Sequence, residues 1–255
     1  MIKSSEIKKA ALNKLDWKKS LLVSTIFVLT NLALSYALEF GINLTINTPI
    51  FYFAVNAIYV ALFLPLSFGF ISAISKLYKS EKVTGTTMFN DAVLNFTKSI
   101  AIFLRTVWKM LLPSIIIIGA VIGILFLTVQ NLPITTSSLT GYTLYIILLY
   151  SVVLIGILLS ALPYVLSSYI LVDNNEMSSK EIIEQSATLM ENKKFNFVKL
   201  IISFLGWFFL LAVITVIASM AINETVGNIV NWAGMILLMP YLVTSIRVFY
   251  EECQE

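Results

Sequence analysis

The sequence predicts an all-α fold: a polytopic bundle of transmembrane helices, with amphipathic helices at the cytoplasmic membrane surface. Two observations carry this prediction. Hydrophobic residues make up 58% of the 255 residues and charged residues only 12%, about half of the roughly 25% that soluble domains contain. The charged residues flank apolar stretches of about 20 residues, the length of helix that crosses the hydrocarbon core of a bilayer. Lipid is therefore the expected solvent for most of the surface.

Six apolar stretches can be read along the chain, and each is long enough to span a membrane. They cover residues 21–40, 50–75, 111–129, 142–172, 197–221 and 226–249. The connections near 41–49, 130–141 and 222–225 contain no Lys or Arg, whereas the alternate connections contain these residues. We expect one integral membrane domain over residues 1–255 that crosses the membrane six times, with a short acidic cytoplasmic tail at 251–255.

All 17 Lys and Arg residues can be placed on one side of the membrane. Six precede the first span, six follow the second, four follow the fourth, and Arg247 ends the sixth. The positive-inside rule then places both termini in the cytoplasm, and we expect a multi-pass protein of a bacterial cytoplasmic membrane. Such a face attracts anionic lipid head groups by about 1 kcal/mol per well-placed cation. Because topology alone explains a basic face, no nucleic acid partner is expected.

Three short segments on the same side, which open near Ser4, Thr86 and Ser178, are predicted to be amphipathic helices. The third, over 178–192, opens with Ser178 and Glu181, which fit a capping box. The second, over 87–109, places polar side chains, Asp91 among them, along one stripe and apolar ones largely elsewhere, so it should lie in the membrane interface as one helix. The expected anchors at this interface are Trp17, Lys98, Arg105, Trp108 and Lys109.

The three helices precede three pairs of spans, which suggests three parallel helix-hairpin repeats over 1–78, 79–172 and 173–250. The returning span of each pair carries one proline, Pro65, Pro163 or Pro240. A proline inside a helix lacks a backbone N–H and disturbs the bond to the carbonyl four residues earlier, so a kink is expected at each.

From Tyr169 onward the sequence resembles the domain-of-unknown-function 975 family of uncharacterised bacterial six-span integral membrane proteins. The segments that carry the resemblance are 169–174, Ser186 with 190–194, 203–207, Pro240 with Tyr241, and Phe249 with Tyr250. The family usually has glycine where Asn192 stands, and both residue types tolerate the left-handed conformation that ends a helix. The resemblance implies an integral membrane protein and supplies no reaction.

The residue inventory argues against catalysis. The chain has no histidine and a single cysteine, Cys253, so a Ser-His-Asp site, a histidine-ligated metal and a multi-thiolate metal site are impossible. Asp173 and Glu176 could pair at the inner face, although a polar loop that leads into a helix explains them better. We therefore expect no catalytic residue, no metal and no cofactor.

The candidate ligand or packing positions are uncharged. Asn31 and Asn56 lie within spans, where interhelical hydrogen bonds are the expected role and a substrate path is the alternative. Trp207 lies beside Gly206 in the fifth span and should pack in the groove of a neighbouring helix, unless it lines a ligand cavity. Gly119 and Gly123 should allow close packing of another helix. The remaining candidates are Pro65, Pro163, Pro240 and Tyr241.

Together these observations favour a non-enzymatic membrane protein that binds a lipid, a hydrophobic peptide or another membrane protein at its cytoplasmic face. The alternative is a transporter or exporter component, or a membrane immunity protein against a toxin peptide. A polar, water-accessible cavity around Asn31, Asn56 and Trp207 would favour transport. A dry, packed bundle centre would count against it.

Overall fold

A computed structural model describes residues 3–44, 49–131 and 139–255, and these residues form helices without any strand. A 3₁₀ turn, Leu162–Tyr164, separates the sixth and seventh helices. The α-helices are α1 (Ser4–Lys14), α2 (Trp17–Leu44), α3 (Pro49–Tyr78), α4 (Thr87–Leu94), α5 (Phe96–Asn131), α6 (Leu139–Ala161), α7 (Ser167–Asp173), α8 (Ser179–Leu189), α9 (Lys194–Ala221) and α10 (Glu224–Gln254).

The six predicted spans are confirmed. Within the described ranges, six stretches are helical, long and apolar enough to cross a membrane: Trp17–Ile42, Ile50–Tyr78, Phe96–Ile124, Ile147–Asp173, Lys194–Ala221 and Glu224–Gln254. In chain order, α1, α4 and α8 each precede a pair of long helices. This order agrees with the units 1–78, 79–172 and 173–250, while the similarity of the units to one another stays a prediction.

The prediction of a single amphipathic helix over 87–109 is wrong. Helix α4 ends at Leu94, and Asn95 leaves the helical conformation with φ −106° and ψ 17°. Residues 96–109 are the first turns of α5, which continues through the third span. The polar stripe misled because Asp91 does not face solvent: it is buried against α3, where Lys76 Nζ lies 2.7 Å from its carboxylate and the Ser72 hydroxyl donates to it over 2.7 Å.

Buried side chains gather at one end of the bundle, which we call the basic end: α1, α4, α7 and α8 with the adjoining turns of the long helices. Its core contains Ile74, Leu166, Leu200 and Tyr250, all fully buried. The long helices pack mainly against their neighbours in sequence, α2 with α3, α5 with α6 and α9 with α10, and α10 also packs against α2 and α3. Many of their apolar side chains are exposed, as expected for surface that faces acyl chains: Leu29, Phe53, Ile116, Leu154 and Val216.

The prolines of the returning spans have different settings. Pro163 lies in the 3₁₀ turn that interrupts the fourth span, so the expected break is observed there. Pro65 and Pro240 are buried inside the uninterrupted helices α3 and α10, where the expected kinks stay predictions. The acidic residues from Glu251 onward, expected as a separate tail, continue α10 as far as Gln254, and Cys253 is buried.

Glycines mark the closest helix contacts, but not where the sequence suggested. A Cβ atom on Gly69 of α3 would collide with the backbone carbonyl of Met88 in α4, and one on Gly156 of α6 would come within 2.8 Å of Ile117 in α5. Gly119 and Gly123 have open space instead, with nothing within 4 Å of such a Cβ. Packing of another helix of the same chain at this pair, as predicted, is therefore wrong for the described residues.

We expect Gly69→Ala to lower the stability of the protein by about 1–3 kcal/mol, because the obstacle is a backbone carbonyl that cannot rotate away. The matched control is Gly119→Ala, which adds the same methyl group to a spanning helix in open space. Thermal unfolding in one detergent measures both variants against the parent protein. Equal midpoints for the two variants would contradict the close approach of α3 and α4.

Candidate functional site

The basic end is held by an ion pair between α7 and α10. Arg247 is only 2% exposed, and both of its terminal nitrogens donate to the Asp173 carboxylate, over 2.9 Å from Nη1 to Oδ1 and 2.8 Å from Nη2 to Oδ2. Lys79, directly after α3, donates to the same carboxylate over 2.9 Å. The sequence suggested that Asp173 belongs to a polar loop or pairs with Glu176. Instead, Asp173 ends α7 and neutralises the buried guanidinium of Arg247.

A second set of contacts joins α1 to this pair. The Lys14 Nζ donates to the Tyr78 hydroxyl over 2.9 Å, and that hydroxyl donates to Glu251 Oε2 over 2.6 Å. Glu251 also lies 3.4 Å from Arg247 Nη2. The hydrogen bond to Tyr78 raises the pKa of Lys14. Four elements of the chain, α1, α3, α7 and α10, therefore meet through charged and hydroxyl groups.

Residues that carry the family resemblance lie at the same end. The Tyr169 hydroxyl donates to the Val243 carbonyl over 3.0 Å, and the Tyr169 ring stacks on Tyr250 with centroids 6.1 Å apart. The Ser186 hydroxyl of α8 donates to the Pro163 carbonyl over 2.8 Å. Asn192 has φ 62°, the left-handed conformation expected where a helix ends.

Helix α8 begins with the capping box that the sequence predicts. The Ser178 hydroxyl accepts from the Glu181 backbone N–H over 3.4 Å, and Glu181 Oε2 accepts from the Ser178 backbone N–H over 2.8 Å. The latter bond lowers the pKa of the Glu181 carboxyl. The cap fixes the start of α8, so Lys180 lies in the first turn of that helix.

A cavity of about 420 Å³ lies between α5 and α8, and we call it the basic cavity. Its charged lining consists of Arg105 and Lys109 from α5 and of Lys180 and Glu184 from α8. Trp108, 74% exposed, stands beside them. Three cations face one carboxylate, and the ion pairs formed within the described residues use other cations: Lys19, Lys76, Lys79 and Arg247.

The arrangement of the basic cavity suits a ligand that carries an anionic group next to an apolar part. Guanidinium and ammonium groups that are not neutralised by the protein can donate to phosphate oxygens, the guanidinium by two parallel bonds. Leu104 and Ile183 add an apolar wall, and the exposed indole suits the region between head groups and acyl chains.

Three of the five predicted anchors, Arg105, Trp108 and Lys109, thus share one cavity. The other two lie elsewhere: Lys98 donates to the Asn175 carbonyl, and the partly exposed Trp17 begins α2. Lys180 was not among the predicted site residues. Its position at the start of a capped helix was the available signal, but sequence could not show that this helix packs on α5.

Within the described residues, neither asparagine of the spans donates to another helix. Asn31 Nδ2 donates to the Phe27 carbonyl and Asn56 Nδ2 to the Tyr52 carbonyl, each over 2.8 Å. Both acceptors lie four residues earlier in the same helix, within reach of a short polar side chain. The interhelical bonds predicted for these donors are therefore wrong.

The remaining candidates lie outside the basic cavity. Trp207 is 50% exposed on α9, so its ring is not buried, and its predicted packing against a neighbouring helix stays a prediction. Tyr241 packs edge-on against Phe204 with centroids 5.0 Å apart. Pro65, Pro163 and Pro240 do not line the basic cavity, although the Pro163 carbonyl anchors α8 beside it.

Six spanning helices joined at a polar, ion-paired end define a multi-pass α-helical membrane protein. The chain belongs to the family described as "Protein of unknown function (DUF975)", whose model matches residues 1–255. This membership confirms the resemblance seen in the sequence. No curated protein and no solved structure matches the chain.

Proposed function

We propose that this protein is a non-enzymatic lipid-binding protein of the membrane, and that its basic cavity holds the anionic head group of a phospholipid. The observation that carries the proposal is the convergence of Arg105, Lys109 and Lys180 on one volume with a single carboxylate, Glu184. A head group phosphate would neutralise cations that otherwise repel one another. A lipid suits this site better than a peptide, because the charged residues line one small volume of about 420 Å³ rather than an extended groove.

The proposal includes an orientation. We propose that the protein resides in a bacterial cytoplasmic membrane with both termini in the cytoplasm, which places the basic cavity at the inner leaflet. The support is the one-sided distribution of Lys and Arg. Reporter fusions are expected to give a cytoplasmic signal at Asn175 and an external signal at Asn223. The reverse result would remove the cavity from the leaflet whose anionic lipids it is proposed to bind.

Binding is better supported than transport. The transport alternative depends on a polar cavity around Asn31, Asn56 and Trp207. The amide of each asparagine donates a hydrogen bond within its own helix, and Trp207 is half exposed. None of these residues lines the basic cavity.

The test removes the cations of the cavity and measures lipid retention. We expect Arg105→Gln/Lys109→Gln/Lys180→Gln to weaken binding of phosphatidylglycerol, because each cation contributes about 1 kcal/mol, or about fivefold, giving about 100-fold for three. Native mass spectrometry of the purified protein, titrated with phosphatidylglycerol or phosphatidylcholine, supplies the measurement. Phosphatidylcholine binding should change little.

The matched control is Lys9→Gln/Lys18→Gln/Lys82→Gln, which removes the same charge from exposed positions outside the cavity. If control and cavity variants lose phosphatidylglycerol equally, the attraction is a diffuse property of the basic face and the site proposal fails. Loss of the folded state is monitored by thermal unfolding of each variant.

A further inference from the structure

The basic cavity contains one acidic side chain, and no ion pair neutralises it within the described parts of the chain. Glu184 lines the cavity together with Arg105, Lys109 and Lys180. The ion pairs that form among the described residues include none of these four side chains. Charges of both signs are therefore available to a ligand in the same small volume.

The spacing along the two helices accounts for this arrangement. Arg105 and Lys109 are four residues apart in α5, where like charges on one helix face repel each other. Lys180 and Glu184 are also four residues apart in α8, but in the order that gives the weaker pair, with the cation nearer the start of the helix. Four residues rise about 6 Å along a helix axis. The carboxylate therefore stands one helical turn beyond the nearest cation of its own helix.

The carboxylate limits which anions suit the cavity. An ionised carboxylate accepts hydrogen bonds and donates none, so a bare phosphate gains nothing from Glu184 and is repelled by it. A ligand that also carries a hydrogen-bond donor near its phosphate can use all four charged groups of the cavity. The donor can be a hydroxyl or an ammonium group. A hydroxyl suits the cavity better, because an ammonium group would add a fourth cation to three that already repel one another.

We infer that Glu184 determines the head group specificity of the basic cavity, and that it selects a phosphodiester of a polyol by accepting hydrogen bonds from the polyol hydroxyls. The phosphate lies among Arg105, Lys109 and Lys180, which donate to its oxygens. The hydroxyls are joined to the phosphate by a short carbon chain and extend towards Glu184. Phosphatidylglycerol is a lipid of this class.

This inference rests on the proposed phospholipid site and goes beyond it. Three cations alone attract any singly charged phosphodiester, because their bonds are made to the phosphate oxygens. Glu184 adds a distinction between head groups of equal charge. Dioleoylphosphatidylglycerol and dioleoylphosphatidylpropanol isolate this distinction, since they share the phosphodiester charge and the acyl chains, and only the first carries hydroxyls in its head group.

The experiment titrates the full chain in detergent with each of these two lipids and with dioleoylphosphatidylcholine, and native mass spectrometry measures the bound fraction. We expect phosphatidylglycerol to bind at least about fivefold more tightly than phosphatidylpropanol, the effect of about one hydrogen bond. Equal binding of these two, with weaker binding of phosphatidylcholine, would overturn the inference and leave the phospholipid site standing. Phosphatidylglycerol binding no tighter than phosphatidylcholine binding would overturn both.

Glu184→Ala separates hydrogen bonding from charge repulsion. We expect phosphatidylpropanol to bind more tightly to this variant, because a repulsive charge is gone. Phosphatidylglycerol should gain less, because it also loses its acceptor, so the preference between the two lipids should fall from about fivefold to near one. An unchanged preference would mean that Glu184 acts on both lipids by charge alone, and it would overturn the inference.

The matched control is Glu191→Ala, which removes the same charge from an exposed residue beyond the end of α8 and outside the cavity. The control should keep the preference of the parent protein, and an equal fall in both variants would contradict a role of the cavity carboxylate. Because Glu184 is exposed, we expect both variants to unfold at the temperature of the parent protein.

Dioleoylphosphatidylethanolamine tests the nature of the donor. Its head group carries an ammonium group where phosphatidylglycerol carries hydroxyls, and we expect it to bind the parent protein more weakly than phosphatidylglycerol. Equal or tighter binding that is lost in Glu184→Ala would assign the carboxylate to an ammonium group and would contradict the selection of a polyol.

Discussion

The basic end depends on the buried pair of Arg247 and Asp173. A guanidinium that is removed from water is stable only when an opposite charge and hydrogen-bond acceptors replace its hydration, and the bidentate contact with Asp173 supplies both. Lys79 adds a third element to the pair. Because α3, α7 and α10 come from different hairpins, this one charge cluster ties the three hairpins together, and the hydrogen bonds from Tyr169 to Val243 and from Tyr78 to Glu251 join the same helices.

The same constraint accounts for the position of the basic cavity. The hairpins are closed at the basic end by the ion pairs and by a core that includes Ile74 and Leu166. The basic cavity lies at this end, between α5 and α8.

Sequence was sufficient for features that depend on local chemistry. Six spans follow from apolar length, which does not depend on tertiary contacts, and the cap at Ser178 and the left-handed Asn192 follow from backbone preferences. Sequence was insufficient for features that depend on packing against another helix. The polar stripe that contains Asp91 can be read from the sequence, but its neutralisation by Lys76 of α3 cannot. The Asn31 amide can donate to a neighbouring helix or to its own, and the structure shows the bond within its own helix. Of the three cations in the basic cavity, Arg105 and Lys109 were predicted as interfacial anchors. Lys180 was not, because it joins them only through the packing of α8 on α5.

The central claim is that the Arg247–Asp173 pair closes the basic end, and a double-mutant cycle measures it most directly. Reversible unfolding of Arg247→Met, Asp173→Asn and the double variant in one detergent gives the three free-energy changes. We expect each single variant to lose about 3–5 kcal/mol, because it leaves the partner charge buried, and the double variant to lose less than the sum by about 1–3 kcal/mol. Additive losses, with no coupling between the two sites, would contradict the account.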